Sequence, residues 1–180
     1  MIVTETARLL LRHVDYNDLE TFAALFADPE VMRFSLGRKS REETRRWIEG
    51  CLEDYRVDRW GYGLWAVILK DTGRVIGFCD LTKFHDIDGQ PEVEIGYRFV
   101  RSFWGKGYAT ETVIAVREYA FYRLGMRRLI SLIEAENAAS VHVAEKIGMT
   151  LEKVITKWDR PVGVYVITRS ESTGERISGS

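Results

Sequence analysis

Phe103-Trp104-Gly105-Lys106-Gly107-Tyr108-Ala109-Thr110-Glu111 joins a strand-like segment to a helix-like one. Upstream, Val93, Ile95, Tyr97 and Phe99 alternate with Glu94, Gly96 and Arg98, the period-two mark of a strand with one buried face. Downstream, Ala109, Val113, Val116, Ala120 and Leu124 share one stripe with Glu111 and Glu118 opposite, which predicts a helix over 108–124. Two glycines in the joint let the main chain come close to a ligand and take positive φ. The unpaired amides of the first helical turn, with the helix dipole, then make a place for phosphate oxygens, and Lys106 can add a point charge. A tight strand-to-helix turn with no ligand uses the same glycines. Two known phosphate loops fail here. The nucleoside-triphosphate loop needs Lys and then Ser or Thr directly after its last glycine, where Tyr108 stands. The dinucleotide fingerprint needs a third Gly or Ala where Thr110 stands.

Working outward, residues 9–12 read as a short strand, and Asp15 offers a cap before Leu19, Phe22, Ala23 and Phe26 at helical spacing. Ser40 followed by Glu43 is a capping box that opens a second helix with Trp47, Ile48, Cys51 and Tyr55 on one stripe. Residues 31–39 between them read as a loop. Segments 64–69 and 75–81, rich in β-branched and aromatic residues and separated by Asp71-Thr72-Gly73, read as a hairpin, and the polar stretch 83–91 as a longer loop. After the central helix come a strand over 129–133, a helix over 138–147 capped by Asn137 and ended by Gly148, and two strands over 151–156 and 162–168. This order predicts a mixed α/β fold of about seven strands and four helices, in one domain over 1–168, with a polar, flexible tail over 169–180.

Composition narrows the function. The chain has 180 residues, 46% hydrophobic and 29% charged, which suits one packed domain. A formal net charge of -1 supplies no overall field for nucleic acid or an anionic membrane, so neither is an expected partner. Cys51 and Cys79 lack the spacing of a zinc or redox motif and read as reduced core thiols. His13, His85 and His142 are scattered, so a metal-free site is expected. With no leader-like N-terminus and no apolar run of membrane length, a cytoplasmic location is expected.

The loop resembles the acyl-CoA loop of the GNAT superfamily of N-acetyltransferases, whose form is Gln or Arg, two residues, Gly, one residue, then Gly or Ala. Trp104, Gly107 and Ala109 occupy those anchors, with Trp in place of Gln or Arg. That departure is similar to the branch of ribosomal-protein alanine N-acetyltransferases and their relatives, where the loop looks like Trp-Gly-Lys-Gly-Tyr-Ala-Thr-Glu, all eight present from Trp104 to Glu111. The opening Thr4-Glu5-Thr6-Ala7-Arg8-Leu9-Leu10-Leu11-Arg12, the Asp28-Pro29-Glu30-Val31-Met32 segment, Val75-Ile76-Gly77-Phe78, and the run Asn137, Ser140, Val143, Glu145, Lys146, Gly148, Met149 look like that branch too.

The resemblance implies a central, mostly antiparallel sheet flanked by helices, and acetyl transfer from acetyl-CoA as co-substrate to an amine. The amine is a protein N-terminal α-amine, or a small amine such as an amino acid, polyamine or aminoglycoside; a non-catalytic acyl-CoA sensor is the alternative of another class. It implies that Gly105, Lys106, Gly107, Tyr108, Ala109 and Thr110 hold the pyrophosphate. The backbone of Phe99, with Val100 and Arg101, would pair with the pantetheine arm like an added strand. Asn137 would contact that arm, though a helix cap explains it equally, and Ser140 would hydrogen-bond the departing sulfur, with a solvated helix Ser as the rival. Many members carry a thiolate-stabilising Tyr in this helix, and none lies between Asn137 and Met149 here. Glu94 is the candidate general base, with Glu92 a competitor; Asp80 and His85 are near in sequence order only. An amide near Ile95 or Gly96 would stabilise the oxyanion. The acceptor groove would be lined by 31–39, the second helix and 83–91, in a monomer or homodimer.

Overall fold

Eight strands and four helices follow one another through the computed structural model, which describes residues 1–57 and 62–170. They are β1 (Ile2–Glu5), β2 (Leu9–His13), α1 (Leu19–Ala27), α2 (Arg41–Val57), β3 (Gly63–Leu69), β4 (Arg74–Ile87), β5 (Gln90–Phe99), α3 (Tyr108–Glu118), β6 (Arg128–Ile133), α4 (Ala138–Lys146), β7 (Thr150–Lys157) and β8 (Arg160–Thr168). The strands form one sheet in the order β1-β2-β3-β4-β5-β6-β8-β7. Every neighbouring pair is antiparallel except β5 and β6, which are parallel and share the single rung Glu94 to Ile130.

Alternation along the strands divides the apolar residues between two helical layers. On one face Phe22 and Phe26 of α1 and Trp47 and Ile48 of α2 pack on Ala66, Ile68 and Phe78. The rings of Phe22 and Phe26 meet Trp47 edge-on, at centroid distances of 5.5 and 4.8 Å. On the other face Val113 and Val116 of α3 and Ala144 of α4 cover Leu9, Leu11, Trp65, Val67, Ile95 and Phe99. The expected capping box is formed: the Ser40 amide donates to Glu43 at 2.7 Å and the Glu43 amide to the Ser40 hydroxyl at 3.2 Å. The Tyr55 side chain, read as extending the α2 stripe, lies outside the described residues.

Four expectations change. β1 is an additional edge strand, too short for alternation to reveal. Residues 83–91 are not a loop: β4 runs on to Ile87 and β5 begins at Gln90, joined by Asp88 and Gly89, both at positive φ (53° and 88°), as a two-residue hairpin turn requires. The central helix leaves α geometry after Glu118 and closes with a wider turn over Tyr119–Arg123. The start of the expected tail is tied down, because Arg169 donates its amide to the Arg127 carbonyl at 2.9 Å and its guanidinium to the Phe121 carbonyl at 2.8 Å; positions 171–180 lie outside the described residues.

One contact fixes the start of α3 against the first hairpin. Glu111 accepts from the Thr6 hydroxyl, from the Arg8 amide at 3.1 Å and from Arg8 Nε at 2.7 Å. Arg8 also donates to the Lys106 carbonyl at 3.1 Å and lies 4.6 Å from the Tyr108 ring centroid. Partial burial pushes the Glu111 carboxyl up, but the hydrogen bonds from Thr6 and Arg8 outweigh it and the net shift is downward. A carboxyl held low in the folded state stabilises it above the unfolded value of about 4.3 and loses that contribution as pH falls through the folded value. Glu111→Gln should therefore lower the unfolding temperature by about 4 °C at pH 7, with the gap to the unmodified protein closing below about pH 4, as read by thermal melts across pH.

Candidate active site

Gly105 and Gly107 take φ of 72° and 79°, a conformation that costs a residue with a side chain about 1–3 kcal/mol. Gly107 is the N-cap of α3, and no side chain caps the helix there. The first-turn amides of an eleven-residue helix are thus aimed out of the fold at the mouth of a cleft of about 540 Å³. The cleft is lined by Gly105, Gly107, Tyr108, Ala109 and Thr110 at this end and by Asn137 and Ser140 across from it. Lys106 is exposed, with its ammonium 5.3 Å from the Phe103 ring centroid. The arrangement suits a diphosphate.

The cleft leads to the place where β5 parts from β6. Beyond the Glu94 to Ile130 rung, the Ile95 carbonyl is taken by the Ser131 hydroxyl at 2.9 Å and the Phe99 carbonyl by the Trp104 indole at 2.8 Å. Alternation in β5 sends the Val100 amide to the Ile76 carbonyl of β4, at 2.9 Å. By the same alternation Gly96 and Arg98 turn their main-chain groups to β4, and Tyr97 and Phe99 turn theirs to the gap. The strand-like edge expected to run on through Val100 and Arg101 ends at Phe99. The Val100 carbonyl accepts from Phe103 and that of Arg101 from Trp104 in a tight turn over Arg101–Phe103, while the Arg101 guanidinium lies 3.6 Å from Asp28. The Gly96 amide, one of two expected to face a reacting oxygen, belongs to the β4 side; Tyr97 and Phe99 turn their amides to the gap.

On the α3 and α4 side of the gap, Asn137 caps α4 by accepting the Ser140 amide at 3.3 Å, and it also lines the cleft. The Ser140 hydroxyl oxygen accepts from the Tyr97 phenol at 3.4 Å. Tyr97 was hidden in the sequence because alternation marks it as a core residue; the signal available was a polar handle on an otherwise apolar face. Burial pushes its phenol above the usual value, so it keeps its proton and donates.

On the opposite face stand Asp80, Glu94 and Arg98. Glu94 accepts the Leu132 amide at 3.1 Å. Burial first, then the charge of Asp80, raise its carboxyl to about 7, against opposing pulls from that amide, Arg98 and Lys157. Glu92, the competing carboxylate, is fully engaged elsewhere: it is buried and ion-paired with Arg128 at 2.8 Å, which also holds Glu152. His85 is exposed on the long hairpin. Phe34 and Ser35, in the 31–39 loop, reach the same cleft, and Ser35 receives a short hydrogen bond from Arg98.

The model of the acetyltransferase (GNAT) domain matches residues 8–150. An uncharacterized protein of Bacillus subtilis, YkkB, is 38% identical over 161 residues, 89% of this chain and 92% of that protein. Among solved structures, a GNAT-family acetyltransferase of Bacillus anthracis is similar with a TM-score of 0.79 at 26% identity, over 93% of this chain and 98% of that one. Two more distant ones share the fold. An enzyme of Salmonella typhimurium that modifies the N-terminal serine of ribosomal protein L7/L12 has a TM-score of 0.78 at 22% identity, over 94% and 100% of the two chains. A spermidine N-acetyltransferase of Vibrio cholerae, solved with CoA and spermine, has a TM-score of 0.74 at 19% identity, over 91% and 96%.

A carboxyl so placed is directly measurable. In the protein labelled with 13C at glutamate carboxyls, one resonance, lost in Glu94→Gln, should titrate with a midpoint near 7; a Glu94 midpoint in the ordinary carboxylate range, about 4.3, would remove it as a base.

Proposed function

The chain belongs to the GNAT acetyltransferase family, and from that premise we propose that it moves the acetyl group of acetyl-CoA to the α-amine of a protein N-terminus, in the cytoplasm. The observation that carries the reading is the cleft that runs from the uncapped start of α3 to the β5–β6 gap, with Ser140 and Tyr97 on one side of that gap and Glu94 on the other.

The first-turn amides of α3 and the amides of the Gly105–Gly107 bend hold the pyrophosphate, with Lys106 as an added charge. The pantetheine arm lies in the gap against the main chain of Tyr97 and Phe99, beside Asn137. The thioester then sits between two sets of groups. Glu94 takes a proton from the incoming ammonium and frees its lone pair, since a protonated amine cannot attack. Nitrogen bonds to the thioester carbon, and the carbonyl oxygen gathers negative charge within reach of the Tyr97 amide. As the C–S bond breaks, the surplus proton on nitrogen passes to sulfur, and the Tyr97-to-Ser140 hydrogen bond orients the Ser140 hydroxyl to donate toward the thiolate. Free thiols titrate near 8.5, so this donor assists and need not be a strong acid. The proton on Glu94 returns to water. The products are the amide, CoA thiol and one proton, which balances the reaction.

A Glu94 carboxyl raised to about 7 favours an α-amine acceptor. An α-ammonium, at about 7.7–8.0, lies roughly one unit above a base at about 7, a cost near 1.4 kcal/mol. A lysine-like or polyamine ammonium near 10.4 lies roughly three units above it, which costs about 4–5 kcal/mol. The likeness to the spermidine enzyme supports a small amine as second reading.

Calorimetry with acetyl-CoA should show saturable binding that weakens about tenfold or more in Gly107→Val, because a β-branched residue cannot hold φ near 79° and its side chain meets Arg8. Unchanged affinity would displace the cradle from this loop. With N-terminal peptides as acceptors, kcat/KM of the unmodified enzyme should rise through pH 7, and Glu94→Gln should lose about 100-fold at pH 6.5 but much less at pH 9, where the amine deprotonates unaided. An equal loss at every pH would exclude Glu94 as the base.

A further inference from the structure

Asp80 stands on β4 directly opposite Gly96 of β5, two rungs from the pair formed by Thr82 and Glu94 and on the same face of the sheet. A Cβ at position 96 would lie 2.9 Å from Asp80 Oδ1, so glycine here leaves the room in which the Asp80 carboxylate lies across β5. The Thr82 hydroxyl donates to Asp80 Oδ2 at 2.7 Å and draws that carboxylate toward the rung that holds Glu94. Glu94, Gly96 and Arg98 project on one face of β5, so the Asp80 carboxylate, lying over Gly96, shares that face with Glu94 and Arg98. Diagonal neighbours across an antiparallel pair are within reach of each other's charge.

We propose that Asp80 is a positioning residue of the acceptor site: through the space left by Gly96 and the pull of Thr82, it keeps a second carboxylate beside Glu94, the group that deprotonates the acceptor. The inference rests on the acetyl-transfer reading and deepens it. Alone, a carboxylate in water is far too weak a base for an ammonium. A like charge nearby disfavours ionisation of its neighbour and raises proton affinity, and Asp80 is the group of that sign that acts on Glu94. The other groups facing Glu94 act the opposite way: the Leu132 amide from β6, Arg98 from its own strand and Lys157 from β7. Burial raises the Asp80 carboxyl as well, against the Thr82 hydrogen bond and the charge of Arg98, and Cys51 of α2 feels its charge. Arg98, fastened to Ser35, feels the charge of both carboxylates.

Two variants test this on the full chain, each read twice. Asp80→Asn keeps an acceptor for the Thr82 hydroxyl and removes the charge. Gly96→Ala keeps the charge but pushes the carboxylate off the strand. In Asp80→Asn the Glu94 titration midpoint, followed by its carboxyl 13C resonance, should fall by roughly one pH unit, and the acid limb of kcat/KM with a peptide acceptor should move down with it. Gly96→Ala should move both in the same direction by less. Unmoved Glu94 midpoints in both variants, with thermal unfolding intact, would overturn the proposal, and so would a midpoint that moves while the kinetic limb stays in place. The titration needs no turnover, so an enzyme that fails to transfer acetyl groups counts against the acetyl-transfer reading and leaves the carboxyl arm to decide the role of Asp80.

Discussion

Two parallel strands that meet at one rung govern the rest of this molecule. β5 and β6 are the sheet's parallel neighbours, and after Glu94 to Ile130 the ladder gives way to a side-chain bridge from Ser131 and then to a gap. A strand whose main-chain groups are left facing open space is an edge inside the sheet, a liability unless something covers it. Here the loop after β5 turns back, the Trp104 indole takes the Phe99 carbonyl, and α3 starts at the end of the gap with its amides uncapped. The same parting that costs ladder hydrogen bonds thus makes both the slot for an extended arm and the direction in which the helix dipole points.

The two faces of the gap differ in charge because alternation along β5 separates them. Ile95, Tyr97 and Phe99 turn toward α3 and α4, where neutral hydroxyls of Tyr97 and Ser140 meet. Glu94 and Arg98 turn the other way and join Asp80. A one-residue slip of β5 would exchange these sets. The rigid β4–β5 ladder, which is continuous from Gly77 to Glu92 with Phe99 and Phe84 as partners at its ends, holds the register against that slip.

Much of the site sits on elements that other contacts already hold. The loop before α3 is braced by Arg8, which bonds both Glu111 and the Lys106 carbonyl. The Trp-Gly-Lys-Gly-Tyr-Ala-Thr-Glu octet therefore divides in structure: its glycines make the positive-φ bend before α3, while its first and last residues tie the loop to β5 and to the first hairpin. In a loop that must expose its amides, such anchors replace the hydrogen bonds that the amides forgo.

Local pattern alone determined the start of the central helix at Tyr108, though not its end, and the capping box of α2, the Asn137 cap and the glycine bend before α3, because each depends on residues within one or two turns of chain. The family likeness rested on the same short stretches. Pattern failed at the outer end of the long β4–β5 hairpin: residues 83–91 carry no alternation, yet Asp88-Gly89 was a hairpin signal in plain view. It failed again at the end of β5, where periodicity cannot tell that the chain leaves the ladder after Phe99. Only the tertiary structure brought Tyr97 to Ser140 across 43 positions, removed Glu92 to Arg128, and laid Asp80 over Gly96 beside Glu94. These are contacts between strands and helices far apart in the chain, decided by sheet register and packing, and no spacing along the sequence encodes them.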